Sequence, residues 1–194
     1  MHAPARRRPA HSGDRPLESR YADNREHEAL QKNPRTRYRE LDVLSDKQNR
    51  KTIHSIGHSN RGLDEFIAAL EAHGIETLAD VRSYPVSRRY PHFSREALSD
   101  ALTARGIKYV WMPGLGGRRD GGYETYMKTA EFPDALVDLE EIASRSSAAF
   151  MCSELRWREC HRAFIADALH RNGWHVVHIY GGDETEVHSV LPLV

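Results

Sequence analysis

The chain has 194 residues, enough for one domain with a sizeable core or for one domain plus a tail. Its 28 Lys and Arg balance 28 Asp and Glu, but unevenly: residues 1–51 hold 13 basic against 8 acidic side chains, and the remaining 143 hold 15 against 20. The later part is therefore not a generally basic nucleic-acid binder. No apolar run approaches the roughly 20 residues of a bilayer span, and the N-terminus lacks the apolar core of a signal peptide. The expectation is a cytoplasmic protein with no membrane partner.

Residues 1–51 carry few large apolar side chains and many Arg, Pro, Asp, Asn and Glu, including the run Arg6-Arg7-Arg8. Such a segment buries too little surface to offset its ordering entropy, so a disordered, charged extension is expected. From residue 52 to 194 the pattern changes to alternating strand and helix signals, and one α/β domain is expected. Residues 52–56 read as a strand, 57–60 as a turn, and 63–72 as a helix with Leu63, Phe66, Ile67 and Leu70 on one face. A second strand spans 77–81 and is followed by a loop over 82–93 rich in Pro, Arg and Tyr. Ser94 is placed to cap a helix reaching about residue 104. A third strand covers 107–112, then a glycine-rich loop covers 113–122. Helical segments follow at 123–129 and 133–144, a strand at 148–151, a helix at 160–169 and a fifth strand at 175–180. Five strands separated by helices imply a largely parallel sheet with helices on both faces, an α/β fold in three layers.

The chemistry concentrates in residues 148–162, AAFMCSELRWRECHR, where a strand gives way to a helix. Both cysteines, a carboxylate, an imidazole and a guanidinium stand there as Cys152, Glu154, Cys160, His161 and Arg162. In an open α/β sheet that junction faces the ligand crevice, and the amides opening the helix point into it. Two thiols with seven residues between them give no disulfide framework. Cys152 is the candidate nucleophile, because a helix N-terminus and nearby arginines favour thiolate. Glu154 is a candidate acid or base, and His161 the best placed group for proton transfer. His58, in a tight turn after the first strand, is the next catalytic candidate.

Cys152, Glu154 and Cys160-His161-Arg162 resemble the C-x-E…C-H-R signature of the bacterial and archaeal domain-of-unknown-function family 488. So do Ser55-Ile56-Gly57-His58-Ser59, Ala79-Asp80-Val81-Arg82 with Pro85 and Ser87, Gly114-Leu115-Gly116-Gly117-Arg118, and Val177-His178-Ile179. The resemblance runs from about residue 52 almost to the C-terminus. It implies a fold and a pocket, and no assigned function. Where that family often has proline shortly before C-H-R, this chain has Trp157.

If the sheet is parallel, Asp80 with Arg82, the arginine-bearing loops with Arg88 and Arg118, and the Cys152 segment all follow strand ends on one edge. Guanidinium groups gathered there suit phosphate or carboxylate. The expected ligand-binding set is Asp80, Arg82, Arg88, Arg118, Cys160 and Arg162, for an anionic small molecule or a nucleic acid. Three mechanisms stay open. Cys152 to Arg158 forms C-x5-R, but without the glycines of a phosphate-cradling loop. Cys152, Cys160 and His161 could ligate a metal with His58 or Glu154, yet the spacing is not a short C-x2-C pattern, so no metal site and no cofactor are assigned. A redox or acyl-transfer cysteine with Cys160 as its resolving partner is the third. Residues 113–122 lack a P-loop ending and read as a flexible loop or lid. Trp111, Trp157 and Trp174 read as packing residues, with Trp157 at the pocket rim. The leading reading is an enzyme using Cys- and acid/base-assisted chemistry on a nucleotide, nucleic acid or phosphorylated metabolite. A non-catalytic nucleotide or nucleic-acid binding module and a structural or partner-binding domain are the alternatives.

Overall fold

The apolar runs of the sequence become the strands of one sheet. The computed structural model describes residues 51–190; the extension expected over 1–51 lies, apart from Lys51, outside the described residues. The strands are β1 (Thr52–Gly57), β2 (Thr77–Asp80), β3 (Lys108–Trp111), β4 (Ala148–Cys152), β5 (His175–Ile179) and β6 (Thr185–Val187). The helices are α1 (Leu63–Ala72), α2 (Arg95–Thr103), α3 (Tyr123–Tyr126), α4 (Glu131–Arg145) and α5 (Arg162–Arg171). The sheet order is β3-β2-β4-β1-β5-β6, parallel through β5, with β6 antiparallel to β5.

Burial follows the pattern of side chains. Every residue of β4 and of β2 is buried, as expected of central strands covered on both faces. Ile56, Leu78, Ala149 and Met151 face α1 and α2, packing on Phe66, Ile67, Leu70, Leu98 and Leu102. Ile53, Ala79, Phe150 and Val176 face the other way, onto Leu136 and Leu139 of α4 and Ile165 and Leu169 of α5. The three-layer α/β fold expected from the sequence is therefore present.

The chain leaves β1 toward β2 and leaves β4 toward β5, so connections depart in opposite directions from two neighbouring strands. That is the switch point at which open α/β sheets make a crevice beyond their carboxyl ends.

Several local readings need correction. Among the described residues the sheet has a sixth strand, because the short segment Thr185–Val187 gains its conformation only by pairing with β5. Ser94 occupies the N-cap of α2, but its Oγ donates to Pro91 O at 2.7 Å and caps nothing. The helix after the cysteines begins at Arg162, and a 3-10 turn (Trp157–Glu159) intervenes after β4, so Cys152 is not at a helix N-terminus. Trp157 is 0 % exposed rather than at the rim. Its indole stacks on His178 with centroids 4.3 Å apart and donates to Glu186 Oε2 at 3.1 Å. The glycine-rich loop is pinned rather than free. Arg119 donates to the carbonyls of Pro113, Gly114 and Gly116, and Tyr123 and Tyr126 donate to Leu115 O and Gly114 O.

Candidate active site

The site forms where β1 and β4 end side by side. Gly57 pairs with Cys152, and beyond the strands the amides of His58 and Ser59 donate to Cys152 O and Ser153 O at 3.0 and 2.8 Å. Position 57 must be glycine, since a Cβ there would stand 1.8 Å from Glu154 O. The loop carrying Glu154 is held from below by Arg162, which is 1 % exposed. Its Nη2 donates to Glu154 O at 2.5 Å and to Leu155 O at 3.2 Å, and its Nη1 to Ser55 Oγ at 3.4 Å. The guanidinium thus acts as a rivet between β1 and the loop after β4.

On that base the four polar groups converge. Cys152 Sγ and Cys160 Sγ donate to the same oxygen, Glu154 Oε2, at 3.0 and 3.2 Å. His161 Nδ1 lies 3.8 Å from Cys152 Sγ and 3.5 Å from Cys160 Sγ. The other ring nitrogen, Nε2, is 3.0 Å from Val81 O, which can only accept. Nε2 therefore carries the proton, and the Nδ1 lone pair faces the two sulfurs. Gly117 closes against the same ring: a Cβ there would be 2.5 Å from His161 Nδ1.

These contacts set the charges. Hydrogen bonding with Cys160, aided by His161, holds the Cys152 thiol below the ordinary cysteine value against the opposing effect of burial. The Cys160 thiol is pushed up by the same pairing and by burial. Burial would raise Glu154, but hydrogen bonds from Cys152, Cys160 and Ser153 outweigh it and hold the carboxyl at about 2. The centre therefore presents a carboxylate and a thiol inclined to lose its proton, beside an imidazole with a free lone pair.

The remaining candidates divide into two groups. Asp80 and Arg82 are buried and bonded to each other: Arg82 Nε and Nη2 donate to the carboxylate at 2.8 and 2.5 Å, and Nη1 to Phe93 O at 2.9 Å. Tyr109 adds a third donor to Asp80 at 2.6 Å. His58 donates from Nδ1 to Ser59 O at 2.9 Å, stacks on Phe93, and receives Arg82 Nη1 at Nε2 over 3.4 Å. Burial, and next the Arg82 charge, lower it to about 4. Arg88 and Arg118, by contrast, are exposed. With Arg89 they line a pocket of about 1170 Å³ whose wall also includes His58, Arg82, Tyr84, Cys152, Glu154, Cys160 and His161.

The structure thus brings Cys152, Glu154, Cys160, His161, His58, Arg82, Arg88 and Arg118 to one pocket, and leaves Asp80 and Arg162 beneath it as supports. Sequence reasoning named Gly117 only within the Gly114 to Arg118 match and gave neither it nor Ser83 a role in the site. Their signal was the glycine pair at 116 and 117, one member of which packs on Ser83 and the other on His161. Among the described residues, no helix is long and apolar enough to cross a membrane.

No curated protein and no solved structure matches the chain. One family model, described as "Domain of unknown function DUF488", matches residues 62–169, more than half of the chain and a span that includes Arg82, Gly117 and the whole Cys152 to Arg162 segment. The protein is a member of the DUF488 family.

Proposed function

We propose that the pocket binds a phosphate-bearing ligand, a nucleotide or a nucleic-acid end, and that Cys152, Glu154, Cys160 and His161 carry out acid/base-assisted chemistry on it. One observation supports the reading above others. Arg88, Arg89 and Arg118 make no ion pair among the described residues, and they share one pocket wall with the thiol, carboxylate and imidazole cluster. Arginines at other positions are already committed: Arg82 to Asp80, Arg158 to Glu186 at 2.6 Å, and Arg119 to loop carbonyls. The volume exceeds what a lone phosphate fills and suits a ligand of nucleotide size. Tyr84 is 69 % exposed and lies under the Arg118 guanidinium at 5.8 Å, an arrangement able to stack a base and hold its phosphate. Glu154, a carboxylate on the pocket wall, can take a proton and pass it on.

Calorimetry with a panel of mono-, di- and triphosphate nucleotides tests the proposal. The Arg88→Ala/Arg118→Ala double variant is expected to weaken binding by roughly a hundredfold or more, since each of the two charged hydrogen bonds contributes about 1.5–3 kcal/mol. Cys152→Ser and Glu154→Gln are expected to bind as the parent does and to stop conversion of the bound ligand. Arginine variants that bind like the parent would overturn the ligand assignment. Full turnover by Cys152→Ser would remove Cys152 from the chemistry, and binding without conversion by the parent would leave a binding module only.

A further inference from the structure

The same cluster has the geometry of a metal centre. The donor atoms Cys152 Sγ, Cys160 Sγ and His161 Nδ1 all lie within 4.8 Å of one another. A tetrahedral zinc with bonds of about 2.3 Å to sulfur and about 2.0–2.1 Å to nitrogen separates such ligands by about 3.6 Å. The two sulfur-to-nitrogen distances here are 3.8 and 3.5 Å.

A second observation is independent of those distances. A histidine that serves as a ligand commonly donates its other ring N–H to a carbonyl or carboxylate, which fixes the tautomer and aims the lone pair. His161 does so through Nε2 to Val81 O at 3.0 Å, and Gly117 leaves no room for a side chain against the ring. The loop from β4 to α5 is fixed as well, by the buried Arg162 and by the amide bonds from His58 and Ser59. A thiol pair that served only as packing would need no such orientation.

We propose that Cys152, Cys160 and His161 bind one zinc ion, leaving its fourth position open to the pocket. This rests on the reading of the cluster as the reaction centre and specifies its chemistry. Two thiolates and an imidazole favour zinc over hard cations such as magnesium or calcium. Binding exchanges protons for metal: Zn²⁺ enters, both thiols become thiolates, and two protons leave. Glu154 Oε2, which accepts from both S–H groups, is the exit for those protons. Three protein ligands facing a pocket are the pattern of catalytic rather than structural zinc, with water or substrate in the fourth position. Glu154 lines the same pocket, its Oε2 3.0 and 3.2 Å from the two sulfurs.

The full chain, purified without chelator and desalted from excess zinc, is expected to retain about one zinc per chain by elemental analysis. Cobalt substitution is expected to give a near-ultraviolet thiolate-to-cobalt band and the visible bands of a tetrahedral ion. Cys152→Ser, Cys160→Ser and His161→Gln should each lose zinc affinity by more than the roughly 10–100-fold that loss of an outer partner costs. Glu154→Gln should keep the metal. Should a ligand variant fail to fold, competition between the parent protein and a chromophoric chelator gives the affinity directly. A parent chain that retains no zinc, gives no cobalt band and leaves both thiols equally open to alkylation with and without zinc overturns the proposal. Zinc absent with arginine-dependent nucleotide binding intact refutes the metal alone, whereas zinc retained with no nucleotide bound refutes the ligand assignment alone.

Discussion

Replacing Gly57 with alanine is the sharpest single test of how the site is built. The added Cβ would meet Glu154 O at 1.8 Å and its carbonyl carbon at 2.7 Å, where ordinary contact begins near 3.4 Å. Something must therefore move by about 1.6 Å to restore normal separation. Strand β1 is paired on both sides, with β4 and β5, and Gly57 O also accepts from Arg61 at 2.5 Å. The Glu154 loop is the weaker partner, and its displacement strains the Arg162 contact to Glu154 O. Overpacking costs about 1–3 kcal/mol, and two pinned backbones place this case near about 3 kcal/mol. For a domain of this size that lowers Tm by about 10 °C. Calorimetric melting measures the first effect. Zinc content and nucleotide binding measure the second, since Glu154 and the thiols no longer share one geometry. A Gly57→Ala protein that melts within about 2 °C of the parent and keeps its ligands would refute the close approach as the organising contact.

Other outcomes follow from the buried polar groups. His178 is 1 % exposed, facing His188, Ser55, Trp157 and Arg162, and burial, then His188 and Arg162, lower it to about 3. A depressed histidine stabilises the fold while it is neutral, fully so above the unfolded value of about 6.5, and the gain is lost as pH falls toward the folded value. Between pH 7 and 5 the fold should therefore lose about 2 kcal/mol through this group, read from urea midpoints, and a flat profile would contradict it. Trp157→Ala removes a fully buried ring and should cost about 3–5 kcal/mol in the same assay; a cost under about 1 kcal/mol would show that the cavity collapses. Tyr109→Phe deletes one of several bonds to Asp80 and should cost about 1 kcal/mol. Asp80→Asn, which leaves Arg82 buried without its charge partner, should cost about 3–5 kcal/mol, and equal costs for the two would argue against the ion pair.

The strands that end at the site were legible because they are continuous apolar runs, and the parallel arrangement followed from the helices between them. Cys152, Glu154, Cys160 and His161 stood out as a chemical cluster close in sequence. What pattern could not supply was partner choice. Trp157 is buried because His178 and Glu186 come to it from β5 and β6, and nothing within its own turn announces them. Guanidinium groups of identical chemistry separate in the same way. Arg82, Arg119 and Arg162 are committed to Asp80, loop carbonyls and the Glu154 backbone, while Arg88 and Arg118 remain exposed at the pocket. β6 escaped notice because three residues carry too little periodicity to read.

The pairing of Gly57 with Cys152 joins residues from opposite halves of the described chain, and Arg162 reaches Ser55 across 107 positions. Closing so long a loop is entropically slow, so contacts of this kind form after local helices and hairpins. The middle of the sheet, and with it the reaction centre, is therefore a late product of folding. During synthesis β1 waits for β4 to be made before its far edge can be covered. Cys152 is made as the last residue of β4 and Cys160 after it, so both thiols stay open to oxidants and to stray metal until β4 docks beside β1, and the pocket exists only once that strand is in place.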